Sequence, residues 1–172
     1  MKIFAETPRL ILRELLDTDD KGMFELDSNT EVLKYLYTEP QTKIEQSRDV
    51  ITFIRKQYEE NGIGRWAVIE KQSGDFIGWA GLKLVKQTIN NRTNYYDVGY
   101  RLIPRYWGRG YATEVCKASI DYGFKNLNLN LICATASVHN IASRKVLEKN
   151  RLTFIEEFLY EGEPETWYEI RK

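Results

Sequence analysis

The sequence predicts an α/β fold of the α+β kind, a single domain whose mixed, mostly antiparallel sheet of about seven strands carries helices on both faces. Three observations predict it. Hydrophobic spacing switches between a period of two and a period near 3.6 along a chain of 172 residues, a length suited to one domain. No internal repeat and no Pro/Gly-rich linker divides the chain. One long helical segment is apolar on two sides, which places it between layers.

The elements follow in order. Leu10–Leu12 is a short apolar run and reads as a strand. Asp17 or Thr18 offers an N-cap for a helix carrying Met23, Phe24 and Leu26. Thr30 opens a second, short helix with Val32, Leu33, Tyr35 and Leu36. Thr42 and Glu45 have capping-box spacing. Behind them Ile44, Ser47, Ile51, Ile54 and Tyr58 recur at helical spacing, until Asn61-Gly62 stops the helix. Trp66–Glu70, Phe76–Leu84 and Tyr95–Ile103 read as three strands, the last ended by Pro104. The two-sided helix runs from about Gly110 to Leu127. Leu131–Ala136 is a strand, Asn140 caps a helix to Lys149, and Leu152–Leu159 with Thr166–Ile170 close the chain as a strand pair.

Composition narrows the function. Hydrophobic residues at 42% exclude a disordered chain. Lys plus Arg is 25 and Asp plus Glu is 25, so there is no general attraction to nucleic acid or to an anionic membrane. Any anion site must be local. Cys116 and Cys133 lack CxxC spacing and read as reduced, partly buried thiols; no metal site is visible. The first residues lack an apolar signal core, and no apolar run approaches the ~18–20 residues that span a bilayer. A cytoplasmic protein is expected.

The stretch Arg105-Tyr106-Trp107-Gly108-Arg109-Gly110-Tyr111-Ala112-Thr113 joins a strand to the two-sided helix. The first turn of a helix leaves backbone N–H groups without internal partners. Two glycines stand where Ser, Thr, Asp or Asn would cap them, which leaves those amides uncovered and permits unusual backbone angles. Such a loop suits an anion, and Arg105 and Arg109 add positive charge. A plain glycine turn with surface arginines is the alternative. Walker spacing, GxxxxGK[ST], is absent. A dinucleotide site would want a third glycine at Thr113 and an acidic residue about 20 positions on, yet Tyr122 to Leu147 contains no Asp or Glu.

Arg105-x-x-Gly108-x-Gly110 resembles the (Q/R)-x-x-G-x-(G/A) signature of the GNAT acetyltransferases. Gly99-Tyr100-Arg101-Leu102 followed by Tyr106 to Glu114 is similar to the RimJ/RimL-like branch, the ribosomal-protein N-terminal acetyltransferases. So are Thr7-Pro8-Arg9-Leu10-Ile11-Leu12-Arg13 and His139-Asn140-Ile141-Ala142-Ser143-Arg144-Lys145-Val146-Leu147-Glu148-Lys149. The resemblance implies a GNAT-like domain over residues 1–172, with the sheet splayed in its middle. It implies acetyl-CoA as acyl donor and an amine as acceptor, either a protein N-terminus or a small amine. It further implies that the loop from Arg105 through Tyr106, Trp107, Gly108, Arg109 and Gly110 to Tyr111, Ala112 and Thr113 binds the coenzyme A diphosphate. Leu102 and Ile103 then pair with the pantetheine, Asn140 touches it, and Ser143 lies near the thioester sulfur. Paired subunits are common among relatives, so a homodimer is expected.

Two positions depart from the family pattern. Leu147 stands where many members carry a tyrosine that protonates the leaving thiolate, and leaves Ser143 as the substitute. Arg151 stands where a glycine usually ends the helix in a left-handed turn, so Asn150 is expected to supply that conformation.

Acyl transfer to an amine requires the neutral amine. About a tenth of α-amino groups, but only about one lysine in a few thousand, is neutral at pH 7. A positioned base adds about 10²–10⁴ in rate. Asp97, on the strand beside the predicted cleft, is the first candidate, and a solvated strand carboxylate is its other reading. Glu114 and His139 rank lower: the first favours a helix dipole, the second precedes a cap. Tyr35, Trp66, Trp79, Tyr95 and Tyr96 line either an acceptor pocket or the core. The expected reaction is direct transfer in a ternary complex, with a non-catalytic coenzyme A-binding module as the rival.

Overall fold

Alternating apolar residues build one sheet of eight strands in the computed structural model, which describes residues 1–172. The strands are β1 (Ile3–Glu6), β2 (Leu10–Arg13), β3 (Trp66–Glu70), β4 (Phe76–Val85), β5 (Tyr95–Leu102), β6 (Leu131–Ser137), β7 (Thr153–Tyr160) and β8 (Glu163–Arg171). Their order is β1-β2-β3-β4-β5-β6-β8-β7. The eighth strand, beyond the seven expected, is β1: a four-residue edge strand too short to show a period in sequence.

Every neighbouring pair is antiparallel except β5 and β6. Those two are parallel and share one paired position, Asp97 opposite Cys133. Beyond it, Val98–Leu102 and Ala134–Ser137 diverge, so the sheet is splayed where the family resemblance placed the splay. Thr135 is exposed although β6 lies inside the sheet, which marks the gap.

The helices are α1 (Asp20–Asp27), α2 (Thr30–Leu33), α3 (Ile44–Asn61), α4 (Tyr111–Lys125) and α5 (Ile141–Lys149). On one face α4 buries Tyr111, Val115, Cys116 and Ile120 against Leu82, Val98, Ile132 and Ala134. Trp66 is fully buried there, stacked on Phe4 at 4.9 Å and edge-on to Tyr122 at 5.0 Å. On the other face Met23 of α1 and Ile51 and Ile54 of α3 pack with Leu15 and Ala67. Each large apolar side chain so buried stabilises the fold by roughly 1.5–3 kcal/mol.

Local signals are met with shifts of one residue. The amides of Thr42 and Lys43 both donate to Gln46 Oε1, at 2.8 and 3.0 Å, so Gln46 replaces Glu45 in the capping box. Gly62 ends α3 at φ 69°. At the end of α5 the left-handed step falls on Arg151, at φ 65°, and not on Asn150, at φ −89°. Asn150 uses its side chain instead, donating through Nδ2 to Val146 O at 2.9 Å and to Thr113 O at 3.3 Å. That ties the end of α5 to the first turn of α4. Both cysteines are free and buried, and burial pushes the Cys133 thiol up to about 12.

Candidate active site

The loop after β5 turns once through Pro104–Tyr106 and enters α4 by way of two left-handed glycines, Gly108 at φ 72° and Gly110 at φ 80°. A side chain at Gly108 would meet nothing within 4 Å, so backbone angle, not crowding, demands glycine there. Gly110 is the N-cap of α4 and no side chain caps the helix. The consecutive amides of Gly108, Arg109, Gly110, Tyr111, Ala112 and Thr113 donate to no group in the chain. Uncovered donors at the positive end of a 15-residue helix form a site for an anionic group.

The charges around this loop are more balanced than sequence suggests. Arg105 pairs with Glu25, and both are half exposed. Arg109 is half exposed, 4.0 Å from Glu70 and 5.3 Å from the ring centroid of Tyr106. A third cation, Arg9, reaches the loop from β2's approach: its Nη1 donates to Arg109 O at 2.8 Å while its Nη2 pairs with Glu114 at 2.6 Å. The exposed Arg105–Glu25 pair contributes about 0–1 kcal/mol and yields readily to a phosphate. The loop is held from beneath by Tyr106, whose hydroxyl donates to Asp75 at 3.1 Å, and by Tyr111, whose hydroxyl donates to Glu70. Hydrogen bonds from Tyr111 and Ser73 hold the Glu70 carboxyl below the usual carboxylate range.

The loop opens onto the gap between β5 and β6. The Ile103 amide donates to Ile77 O of β4 at 2.9 Å, so alternation turns the backbone of Leu102, Tyr100 and Val98 toward β6. The Leu102 carbonyl is already taken: the Trp107 indole donates to it at 2.7 Å. Free backbone on this edge therefore lies upstream of the Leu102–Ile103 pair named from sequence. Across the gap, Asn140 accepts the Ser143 amide at 3.1 Å and caps α5. Ser143 Oγ lies 3.1 Å from the Tyr100 hydroxyl, which also donates to Ser143 O at 3.0 Å. Burial pushes the Tyr100 phenol far above its ordinary range. Leu147 is 1% exposed and belongs to the core.

The family model for the acetyltransferase (GNAT) domain matches residues 9–153. The chain belongs to the GNAT acetyltransferase family. It is 37% identical over 153 residues to an uncharacterized N-acetyltransferase, p20, of Bacillus licheniformis, covering 89% of this chain and 83% of that protein. A GNAT-family acetyltransferase structure from Bacillus anthracis superposes with a TM-score of 0.80 at 25% identity, covering 99% of this chain and 98% of that one. RimL, a ribosomal L7/L12 α-N-protein acetyltransferase in complex with coenzyme A, shares the fold with a TM-score of 0.80 at 17% identity, covering 99% and 98%. The GNAT domain is an acyltransferase that uses acetyl-CoA.

The opposite face of the gap in this GNAT domain carries ion pairs. Asp97 pairs with Arg65, whose Nη1 also donates to the Asp97 carbonyl at 2.8 Å and to Gly81 O; both side chains are largely buried. A side chain at Gly99 would stand 2.6 Å from Arg65 Nη2, so glycine there admits the guanidinium. Arg101 pairs with Asp27 of α1 at 2.6 Å, and Trp79 lies between Arg65 and Arg101 at 5.3 and 5.0 Å. Burial pulls the Lys83 ammonium, opposite Asp97 in register, below its ordinary range.

The candidates from sequence therefore separate. Asp97 is committed to Arg65, and taking a proton would break a buried pair. Glu114 is bound by Thr7 and Arg9; burial raises its carboxyl, and those hydrogen bonds outweigh it to leave a lowered value. His139 is exposed, and its amide donates to Ser137 Oγ at 3.3 Å. Trp66 and Tyr95 are core, whereas Trp79 is only partly buried, between Arg65 and Arg101. Sequence reasoning missed Arg9, Arg65 and Tyr100. Arg65 had a signal, since glycine at position 99 of a central strand marks a close approach.

Proposed function

We propose that this protein moves the acetyl group of acetyl-CoA directly to a primary amine within a ternary complex. The observation that carries the reading is the uncovered amide run Gly108–Thr113 beside the open β5–β6 gap. In this reading the amides hold the diphosphate, with Arg105 and Arg109 released from their weak pairs to assist. The pantetheine lies along the free backbone of β5 between Val98 and Leu102, next to Asn140. Ser143, oriented by Tyr100, donates a hydrogen bond to the departing sulfur in place of the missing tyrosine at Leu147. Asp97 holds the floor of the gap through Arg65. The acceptor is a protein N-terminus or a small amine. RimL, which shares the fold and acts on a protein N-terminus, supports the first.

Calorimetry with acetyl-CoA, coenzyme A and NAD tests the donor, and a thiol-release screen across peptides and small amines tests the transfer. Acetyl-CoA should bind and at least one amine should release thiol. NAD binding without acetyl-CoA binding would overturn the reading. Coenzyme A binding with no thiol release from any amine would instead establish a non-catalytic binding module.

A further inference from the structure

The buried carboxylates of this protein have partners: Asp19 binds Arg13, Asp27 binds Arg101, and Glu70 binds Tyr111 and Ser73. Glu165, half-buried, breaks the rule. No hydrogen bond or ion pair reaches it, and burial alone, without any charged neighbour, raises it to about 7. Burying a charge without a partner is costly, so the fold gains nothing from a glutamate at this place.

Register fixes where Glu165 stands. It is opposite Ser137 of β6 and opposite Phe158 of β7. Residues an even number apart share a sheet face, and so do directly opposed residues. Asp97, Cys133, Ser137 and Glu165 therefore lie on one face, the face of α1 and away from α4. Ser137 is four residues beyond the single β5–β6 pairing at Cys133, about 13 Å along the strand. Glu165 thus stands level with the wide end of the gap, one strand beyond β6.

The helical layer sends one residue here. Tyr37, in the segment after α2, lies 3.2 Å from Ser137 Oγ through its hydroxyl. Its backbone sits at φ 51°, a left-handed angle that costs a residue other than glycine about 1–2 kcal/mol. Tyr37 is nonetheless 49% exposed and Leu36 beside it is 42% exposed. A strained, exposed segment tied to the rim of a cleft is a feature of ligand sites. Ser137 and Phe158 oppose Glu165, and Tyr37 reaches it by way of Ser137. Glu156, two residues from Phe158 on the same face of β7, is held by Arg92 at 2.6 Å, and Glu163 is the next carboxylate along Glu165's own strand.

We propose that Glu165, flanked by Ser137 and Tyr37, is the acceptor subsite, where its carboxylate receives the incoming primary ammonium and takes its proton. The inference rests on the acetyltransferase reading above. The ammonium gives one proton to the Glu165 carboxylate. The neutral nitrogen attacks the thioester carbonyl, forming a C–N bond, and the C–S bond breaks with its electron pair leaving on sulfur. The second nitrogen proton goes to the thiolate. The products are the N-acetyl amide and coenzyme A thiol, and Glu165 returns its proton to solvent. A base titrating near neutrality is matched to this task.

The test is the pH dependence of thiol release with the best amine from the screen, for the wild type, Glu165→Gln and Glu165→Asp. The wild-type kcat/KM for the amine should carry a limb near pH 7 that is distinct from the ionisation of the amine itself. Glu165→Gln should lose that limb and at least tenfold in rate, with KM for acetyl-CoA unchanged. Glu165→Asp should restore the limb in part. Thermal stability reports separately on folding. A carboxyl raised on folding contributes stability below the unfolded value near 4.5 and loses it as pH rises toward about 7. Glu165→Gln should therefore melt higher than wild type above pH 7. A limb that persists in Glu165→Gln would overturn the subsite alone. Failure of the wild type to acetylate any amine would overturn the acetyltransferase reading and the subsite with it.

Discussion

The two sides of the β5–β6 gap are built from different materials. The proposed donor side is backbone: a run of free amides from Gly108 to Thr113, exposed by two left-handed glycines. The proposed acceptor side is side chains: Arg65 with Asp97, Arg101 with Asp27, and the unpartnered Glu165. Backbone recognition needs only a local conformation and so is written in a few adjacent residues. Side-chain recognition is assembled from segments far apart in sequence and is free to change from one relative to the next. The common donor and the variable acceptor of an acetyltransferase family map onto that division.

The comparison breaks most visibly on Asp97. Removing it with Asp97→Ala strands the buried Arg65 guanidinium, and the expected loss is about 3–5 kcal/mol of stability, read from urea unfolding. If Asp97 were instead a solvated base, stability would hold while the pH–rate profile changed shape. On the donor side the order of effects reverses. Gly110→Ala puts a side chain at φ 80° and should weaken coenzyme A binding at least tenfold by calorimetry, against about 1–2 kcal/mol of stability.

A position outside both halves calibrates the cost of a left-handed backbone. Arg151 sits at φ 65° and its side chain is exposed. Arg151→Gly should stabilise the protein by about 1 kcal/mol in thermal or urea unfolding. The smallest effect belongs to Arg105. Its exposed pair with Glu25 contributes about 0–1 kcal/mol, so Arg105→Ala should leave stability nearly unchanged while binding of coenzyme A weakens a few-fold.

These contrasts also explain what the sequence made legible. The glycines at 108 and 110 disclosed the uncapped start of α4, because two glycines stand where a capping side chain would. β3 and β4 were readable from apolar alternation bounded by turns. β1 was not, because four residues at a sheet edge carry too little pattern. β8 begins at Glu163, three residues before the strand visible in sequence, since Pro164 argues against an interior strand. That hidden start concealed Glu165. Arg65 and Asp97 stand 32 positions apart, and nothing in either segment names the other. The Asn150–Arg151 step failed for a tertiary reason: the carbonyls of Val146 and Thr113 claim the Asn150 side chain, and the left-handed turn passes to the next residue.

The most direct measurement is a crystal structure of the protein with coenzyme A. The account predicts diphosphate oxygens within about 2.7–3.2 Å of the Gly108–Thr113 amides, with the pantetheine entering the gap past Asn140. A diphosphate lodged away from those amides, with the amides left to water, would contradict it.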